Sequence, residues 1–140
     1  MARARLVTDL AEHVLAEVER QHARLARWLG TDCGSEVLDE LRRSHLPQFE
    51  IITIDGHLLR VDQLFDGLAG AGNAAPGLRI DIDEIGIVAQ TTDLVTVRFR
   101  ETHSRAGDVS QRLVTAVLRK DAGAPHGLRW QYVHETAVRH

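Results

Sequence analysis

Cysteine occurs once in this chain, as Cys33. That excludes an internal disulfide framework and a cysteine-rich zinc site. No apolar run approaches the ~18 residues a membrane-spanning helix needs, so no membrane partner is expected. The opening Met1-Ala2-Arg3-Ala4-Arg5-Leu6 is basic but lacks the apolar core of a signal peptide, and a cytoplasmic location is expected. Positive charge is not in excess: 17 Lys and Arg against 20 Asp and Glu leave a net charge of −3. No basic surface is therefore expected to attract nucleic acid or anionic lipid. The eight histidines are scattered without an HExxH spacing or a close His pair beside a carboxylate, so no metal is expected. There is no nucleophile elbow. Gly67, Gly70 and Gly72 follow a helical pattern rather than a strand, so they do not form a phosphate loop. Cys33 falls in an interhelix loop with no neighbouring base to activate its thiol. No cofactor is called for.

What is present is a chain of 140 residues, which the length prior makes a single domain, 1–140. Residues 7–29 have the spacing of a long amphipathic helix. Val7, Leu10, Ala11, Val14, Leu15, Val18, Leu25, Trp28 and Leu29 form its stripe, and Glu12, Glu17, Glu19, Arg20 and Arg24 lie opposite. His22, between Val18 and Leu25, borders the stripe. Gly30 is expected to end the helix in the left-handed conformation. Ser35 is the expected N-cap of a short second helix carrying Val37, Leu38 and Leu41 inward, which Pro47 stops. Phe49 to Ile54 reads as a strand, Asp55-Gly56 as a type I′ turn and His57 to Leu59 as the returning strand. Asp62 is expected to cap a third helix with Leu64, Phe65 and Leu68 buried. Residues 70–77 form a loop. Four strands complete the chain: 78–90, with a β-bulge near Glu84 where the alternation changes phase, then 94–103, 109–120 and 128–138.

Short turns make consecutive strands antiparallel, and the turns set a register. Pairing about Ala106-Gly107 places Arg98 opposite Thr115. Pairing about Gly123-Ala124 places Thr115 opposite Val133. With strict alternation, one face collects Val95, Val97, Phe99, Val114, Ala116, Leu118, Trp130, Tyr132 and His134. The other collects Thr96, Arg98, Arg100, Leu113, Thr115, Val117, Gln131, Val133 and Glu135. Two arrangements follow. Either the apolar face packs on the helices and the mixed face meets water, or the mixed face lines a cup while the apolar face is buried in a homodimer.

The element order, and the Trp130-Gln131-Tyr132-Val133-His134-Glu135 run that follows Leu118-Arg119-Lys120-Asp121, resemble the nuclear transport factor 2-like superfamily. The closest likeness is to SnoaL-like proteins and to the branch of the calcium/calmodulin-dependent protein kinase II association domain. The resemblance covers nearly the whole chain and implies an α+β, cone-shaped roll. In it a curved antiparallel sheet wraps around a long N-terminal helix, with two shorter helices and a pocket at the open end. It implies a homodimer through the outer side of the sheet. It also implies the second arrangement: the association domain has an inward arginine where Arg98 stands, and another where this chain has Thr115.

The resemblance makes Arg98, Thr115, Val133 and Glu135 the expected pocket residues. Trp28 and Phe49 are candidate apolar pocket contacts, with core packing as the plainer role, and His57 is a candidate rim residue, with an exposed turn position as the plainer one. Val97, Phe99, Val114, Ala116, Trp130, Tyr132 and His134 are the expected dimer surface. Glu135 is the candidate general base and His134 the alternative acid–base group. Arg98 would clamp a carboxylate or other anion. For Glu135 the plainer role is an ion pair with Arg100. Three functions stay open: a small-molecule-binding protein, a SnoaL- or ketosteroid-isomerase-like enzyme moving protons on a hydrophobic carbonyl compound, and a non-catalytic association module. Whether the chain is an enzyme is not decided by its residues. An enclosed pocket with Glu135 buried beside a donor would favour catalysis; a cup filled by side chains would favour association.

Overall fold

The computed structural model describes residues 2–139, with side chains from Asp9 onward; the expected inward placement of Val7 lies outside the described side chains. The element order is α1 (Ala2–Gly30), α2 (Glu36–Arg43), β1 (His45–Ile52), β2 (Leu58–Arg60), α3 (Val61–Ala69), β3 (Arg79–Gln90), β4 (Leu94–Arg105), β5 (Asp108–Lys120) and β6 (Leu128–Ala137). The six strands form one curved sheet in the order β2-β1-β6-β5-β4-β3. Strands β3 to β6 run as an antiparallel meander. β1 lies parallel to β6, so the sheet is mixed rather than wholly antiparallel. The intervening hairpin, α3 and three strands supply the long connection a parallel pair requires.

The inner face of this sheet packs on α1 in a core of Val14, Val18, Phe49, Val95, Val97, Phe99, Val114, Ala116, Leu118, Leu128 and Trp130. A second cluster, Trp28, Val37, Leu41 and Phe65, joins α1, α2 and α3. The helical stripe is narrower than its spacing suggested: Ala11 and Leu15 are exposed, while Glu17 is fully buried. The Glu17 carboxylate accepts hydrogen bonds from Trp130 Nε1 (2.9 Å) and His126 Nδ1 (3.2 Å), and it pairs with Arg20. Three partners are what make a buried carboxylate tolerable. Gly30 is not left-handed. It is glycine because a Cβ there would lie 2.9 Å from the Leu78 backbone nitrogen, where the 70–77 loop crosses the helix end.

Local expectations at the element ends are adjusted by tertiary context. Ser35 stands at the α2 N-cap but makes no capping bond with its side chain. α3 begins at Val61, where Gln63 Oε1 accepts the Arg60 N–H (2.9 Å), and Asp62 pairs with Arg42 instead of capping. β1 starts at His45 rather than Phe49. Pro47 falls in the gap between the His45 and Glu50 pairings with β6, where the ladder loses nothing for want of an N–H. The β1–β2 hairpin forms, but only Gly56 is left-handed (φ 82°), so its turn is not type I′. That geometry occurs instead at Ala106 and Gly107, both at positive φ between β4 and β5.

Two irregularities set the faces. In β3 the register shifts between Asp83 and Gly86, with Glu84 at φ 54°, the bulge its sequence pattern predicts. In β6, Leu118 faces Trp130 while the next residue back on β5, Val117, faces Tyr132. Gln131 is the extra residue. Arg98 does face Thr115, but Thr115 faces His134, and Ala116 faces Val133. Beyond the bulge the alternation of β6 is reversed. Trp130, Val133 and Glu135 therefore all belong to the inner face, while Tyr132 and His134 belong to the outer one.

Candidate functional site

Strands β4 and β5 carry their inner residues from apolar to polar along one face. On β4 the sequence of inner positions is Val95, Val97, Phe99, Glu101, His103; on β5 it is Leu118, Ala116, Val114, Arg112. Glu101 and Arg112 are directly opposed across the ladder. The bulge delivers Glu135 to the same end, opposite Val114. β1 adds His45, Phe49 and Ile51, Thr53 follows just beyond it, and α1 adds Gln21, His22, Leu25 and Leu29. Together with α3 these residues enclose a cavity of about 360 Å³. Its walls are largely apolar, and its ionisable groups are gathered from β1, β4, β5, β6 and α1.

The central feature is a carboxylate held between two imidazoles. Glu101 is 3% exposed. His103 Nε2 donates to Glu101 Oε1 (2.8 Å), and His22 Nε2 faces Glu101 Oε2 (3.2 Å). On its other side His22 Nδ1 donates to the Val18 carbonyl (2.7 Å). A neutral His22 with its proton on Nδ1 would turn a lone pair toward a carboxylate, so the Nε2 contact requires a second proton on the ring. Burial alone would lower the His22 pKa; the Glu101 charge and hydrogen bond outweigh it, and the pKa is raised. Burial alone would push Glu101 up. The facing His22 charge, with hydrogen bonds from His103 and His22, instead holds it well below the usual carboxylate range.

Beside this group, Arg112 Nη1 donates to Glu135 Oε2 (3.1 Å), with both side chains mostly buried. Burial pushes the Glu135 pKa up; Arg112 only partly offsets it, and the Glu101 charge adds to the rise. A third set lies toward the aromatic wall. His45 Nδ1 donates to the Leu41 carbonyl (2.7 Å), and the Gln21 amide approaches His45 Nε2 (3.4 Å) while its carbonyl accepts from Ser44. Burial among Phe49, Phe65 and Trp130 lowers the His45 pKa to about 4. No group of three or more His, Cys, Asp or Glu among the described residues is arranged to hold a metal ion.

Of the expected pocket residues, Glu135, Val133 and Phe49 line the cavity. Arg98 and Thr115 do not: both are exposed on the outer face, because the apolar face of β4 and β5 is the one that covers α1. Trp28 sits in the α1–α2–α3 cluster, its Nε1 donating to the Leu68 carbonyl (2.7 Å). His57 is exposed at the hairpin turn. His134 is exposed on the outer face and cannot act inside the cup. Val97, Phe99, Val114, Ala116 and Trp130, expected at a dimer surface, are buried within the monomer; only Tyr132 and His134 of that set face outward. Arg100 pairs with Glu84 (2.7 Å), not with Glu135.

The residues missed were His22, Glu101, His103 and Arg112. Their signal was the polar continuation of an inward apolar phase. Glu101 and His103 extend Val95-Val97-Phe99 at the same two-residue step, and His22 extends Val14-Val18 at four.

This architecture is that of a curved-sheet α+β roll with a cavity between sheet and helices. An NTF-2-like protein of unknown function from Pseudomonas aeruginosa is 31% identical, over 91% of this chain and 99% of that one, with a TM-score of 0.84. The chain belongs to the NTF-2-like family. A candidate dehydratase of the NTF2-like family from Streptomyces avermitilis shares the fold at 14% identity, over 95% of this chain and 98% of that one, with a TM-score of 0.66. So does a candidate calcium/calmodulin-dependent protein kinase type II association domain from Thiobacillus denitrificans, at 20% identity, over 73% of this chain and 82% of that one, with a TM-score of 0.59. Scans of protein families and of curated proteins gave no match.

Proposed function

We propose that this chain is a small-molecule-binding protein that carries out acid–base chemistry in its inner cavity: proton transfer on a compact, mostly apolar carbonyl compound. The observation that carries this reading is the gathering of His103, Glu101, Arg112 and Glu135 around one cavity with apolar walls. Glu101 fixes the His103 ring with its proton on Nε2, which makes Nδ1 the basic nitrogen of the neutral ring. That nitrogen takes the proton from a carbon next to the carbonyl. The electron pair moves onto the carbonyl oxygen, where spare donors of Arg112 stabilise the charge. Glu135, its proton affinity raised by burial, supplies a proton at the second centre. The dehydratase assignment of one structural neighbour fits this class of chemistry. An unfilled cavity of about 360 Å³ speaks against a role in association alone.

The test is exchange of carbonyl α-protons in deuterated buffer, followed by NMR over a panel of small cyclic ketones and enones. The wild type is expected to exchange at least one of them. His103→Asn is expected to slow that exchange by about 10²-fold or more, the usual worth of a positioned base. Equal rates in the two proteins would contradict the reading.

The outer face supports a homodimer as a further part of this proposal. Half-buried Val117 and Tyr132 pair there, half-buried Ile52 lies across from His134, and exposed Leu113 stands further along β5, so apolar side chains recur across β5, β6 and β1.

A further inference from the structure

We propose that His22 is a positioning residue for this site: its imidazolium, packed behind Glu101, divides the carboxylate's charge and keeps the His103 ring free to accept a proton. This rests on the acid–base reading of the cavity, and it adds a residue from α1 that lies behind the reacting groups.

The geometry is that of two rings competing for one carboxylate. His103 takes Oε1 and His22 takes Oε2, at 2.8 and 3.2 Å. His22 is 6% exposed, and its ring is edge-on to Phe99 and Trp130. It has no freedom to turn, because the Val18 carbonyl holds Nδ1. The ring is therefore oriented by its own helix, and its charge is aimed across the core at β4. A lone carboxylate beside His103 would favour the protonated imidazole and leave the base filled. A fixed positive charge on the far side of Glu101 works against that.

Other charges also reach the pair. Glu135 on β6 favours the charged form of His22. His45 on β1 is disfavoured as a cation by His22 and is held neutral by burial. Arg112 on β5 lies opposite Glu101 in the ladder but is engaged by Glu135. His22 is the cation that touches Glu101 without touching the cavity's second carboxylate. Its contribution can thus be removed without dismantling the Arg112–Glu135 pair.

The experiment has two arms. The first needs no substrate: ¹⁵N NMR of the imidazole rings in the wild type and in His22→Gln. Gln keeps a donor toward Glu101 and removes the charge. In the wild type, His22 is expected to carry protons on both ring nitrogens at pH 7. In His22→Gln, the His103 ring is expected to titrate about one pH unit higher. A singly protonated His22, or an unmoved His103 titration, overturns the inference. The second arm is the pH profile of α-proton exchange, whose acidic limb is expected to move up by the same amount in His22→Gln. A rate lowered equally at every pH would show a structural role only and would also overturn it. His22→Asn serves if the Gln variant does not fold, and the wild-type spectrum stands on its own. A charged His22 in a protein that exchanges no substrate would sink the catalytic reading and leave the charge arrangement intact, so the two failures are distinguishable.

Discussion

His45 shows what one buried ring does to the pH dependence of folding. Its pKa is about 4 in the folded chain against 6.5 for an unperturbed histidine. Between those values the unfolded chain binds a proton that the folded chain refuses. The folded state is therefore fully favoured above pH 6.5 and loses stability as pH falls toward 4, by about 3 kcal/mol in all. His22 acts in the opposite sense: its raised pKa adds stability below pH 6.5 that is lost as pH rises through the folded value. Comparing wild type with His45→Gln isolates the first effect. Urea denaturation at pH 7.5 and pH 4 is expected to show the variant losing about 3 kcal/mol less than the wild type across that interval. Equal losses in the two proteins would show that His45 does not stay neutral in the fold.

Among the elements, β6 decides most. Its single bulge, at Gln131, lets Trp130 anchor the core through Glu17 while Glu135 still reaches the cavity. Deleting Gln131 would remove the extra residue and leave Trp130, Val133 and Glu135 inward by plain alternation, with Tyr132 and His134 still outward. The deletion is expected to keep the melting temperature within about 5 °C of the wild type. A large fall would show that Gln131 is a regular ladder residue and would contradict the assignment of the bulge.

This strand also shows how far the sequence could be read. The order of elements, the β3 bulge at Glu84 and the Arg98–Thr115 register were legible. Turns and phase changes in an apolar pattern leave a local trace. The Gln131 bulge leaves none: no glycine marks it and no residue there has positive φ. Without it, Trp130 and Glu135 fall on opposite faces, and choosing the mixed face for the cup sent Arg98 and Thr115 inward. Glu135, Val133 and Phe49 were found as cavity residues. The His22–Glu101–His103 group was not: Glu101 and His103 are neighbours on one face of β4, but His22 comes from α1, 79 positions before Glu101, and only packing brings it to them.

For the whole molecule, the fold separates two surfaces with different chemistry. The inner face is an apolar cup with its charges gathered around one cavity. The outer face carries Arg98, Thr115, Tyr132, His134 and the exposed Leu113. Pairing of outer faces predicts a dimer by light scattering at micromolar concentration, and Leu113→Glu is expected to shift it to monomer. A wild-type monomer would remove that proposal without touching the cavity.

The central claim is that function resides inside the cup, at Glu135 and His103, and not on the outer face at Arg98. The most direct test is α-proton exchange of a bound ketone by His103→Asn and Arg98→Ala side by side. Exchange is expected to fall by about 10²-fold or more in His103→Asn and to stay at the wild-type rate in Arg98→Ala. Loss of exchange in Arg98→Ala, with His103→Asn unaffected, would contradict the account.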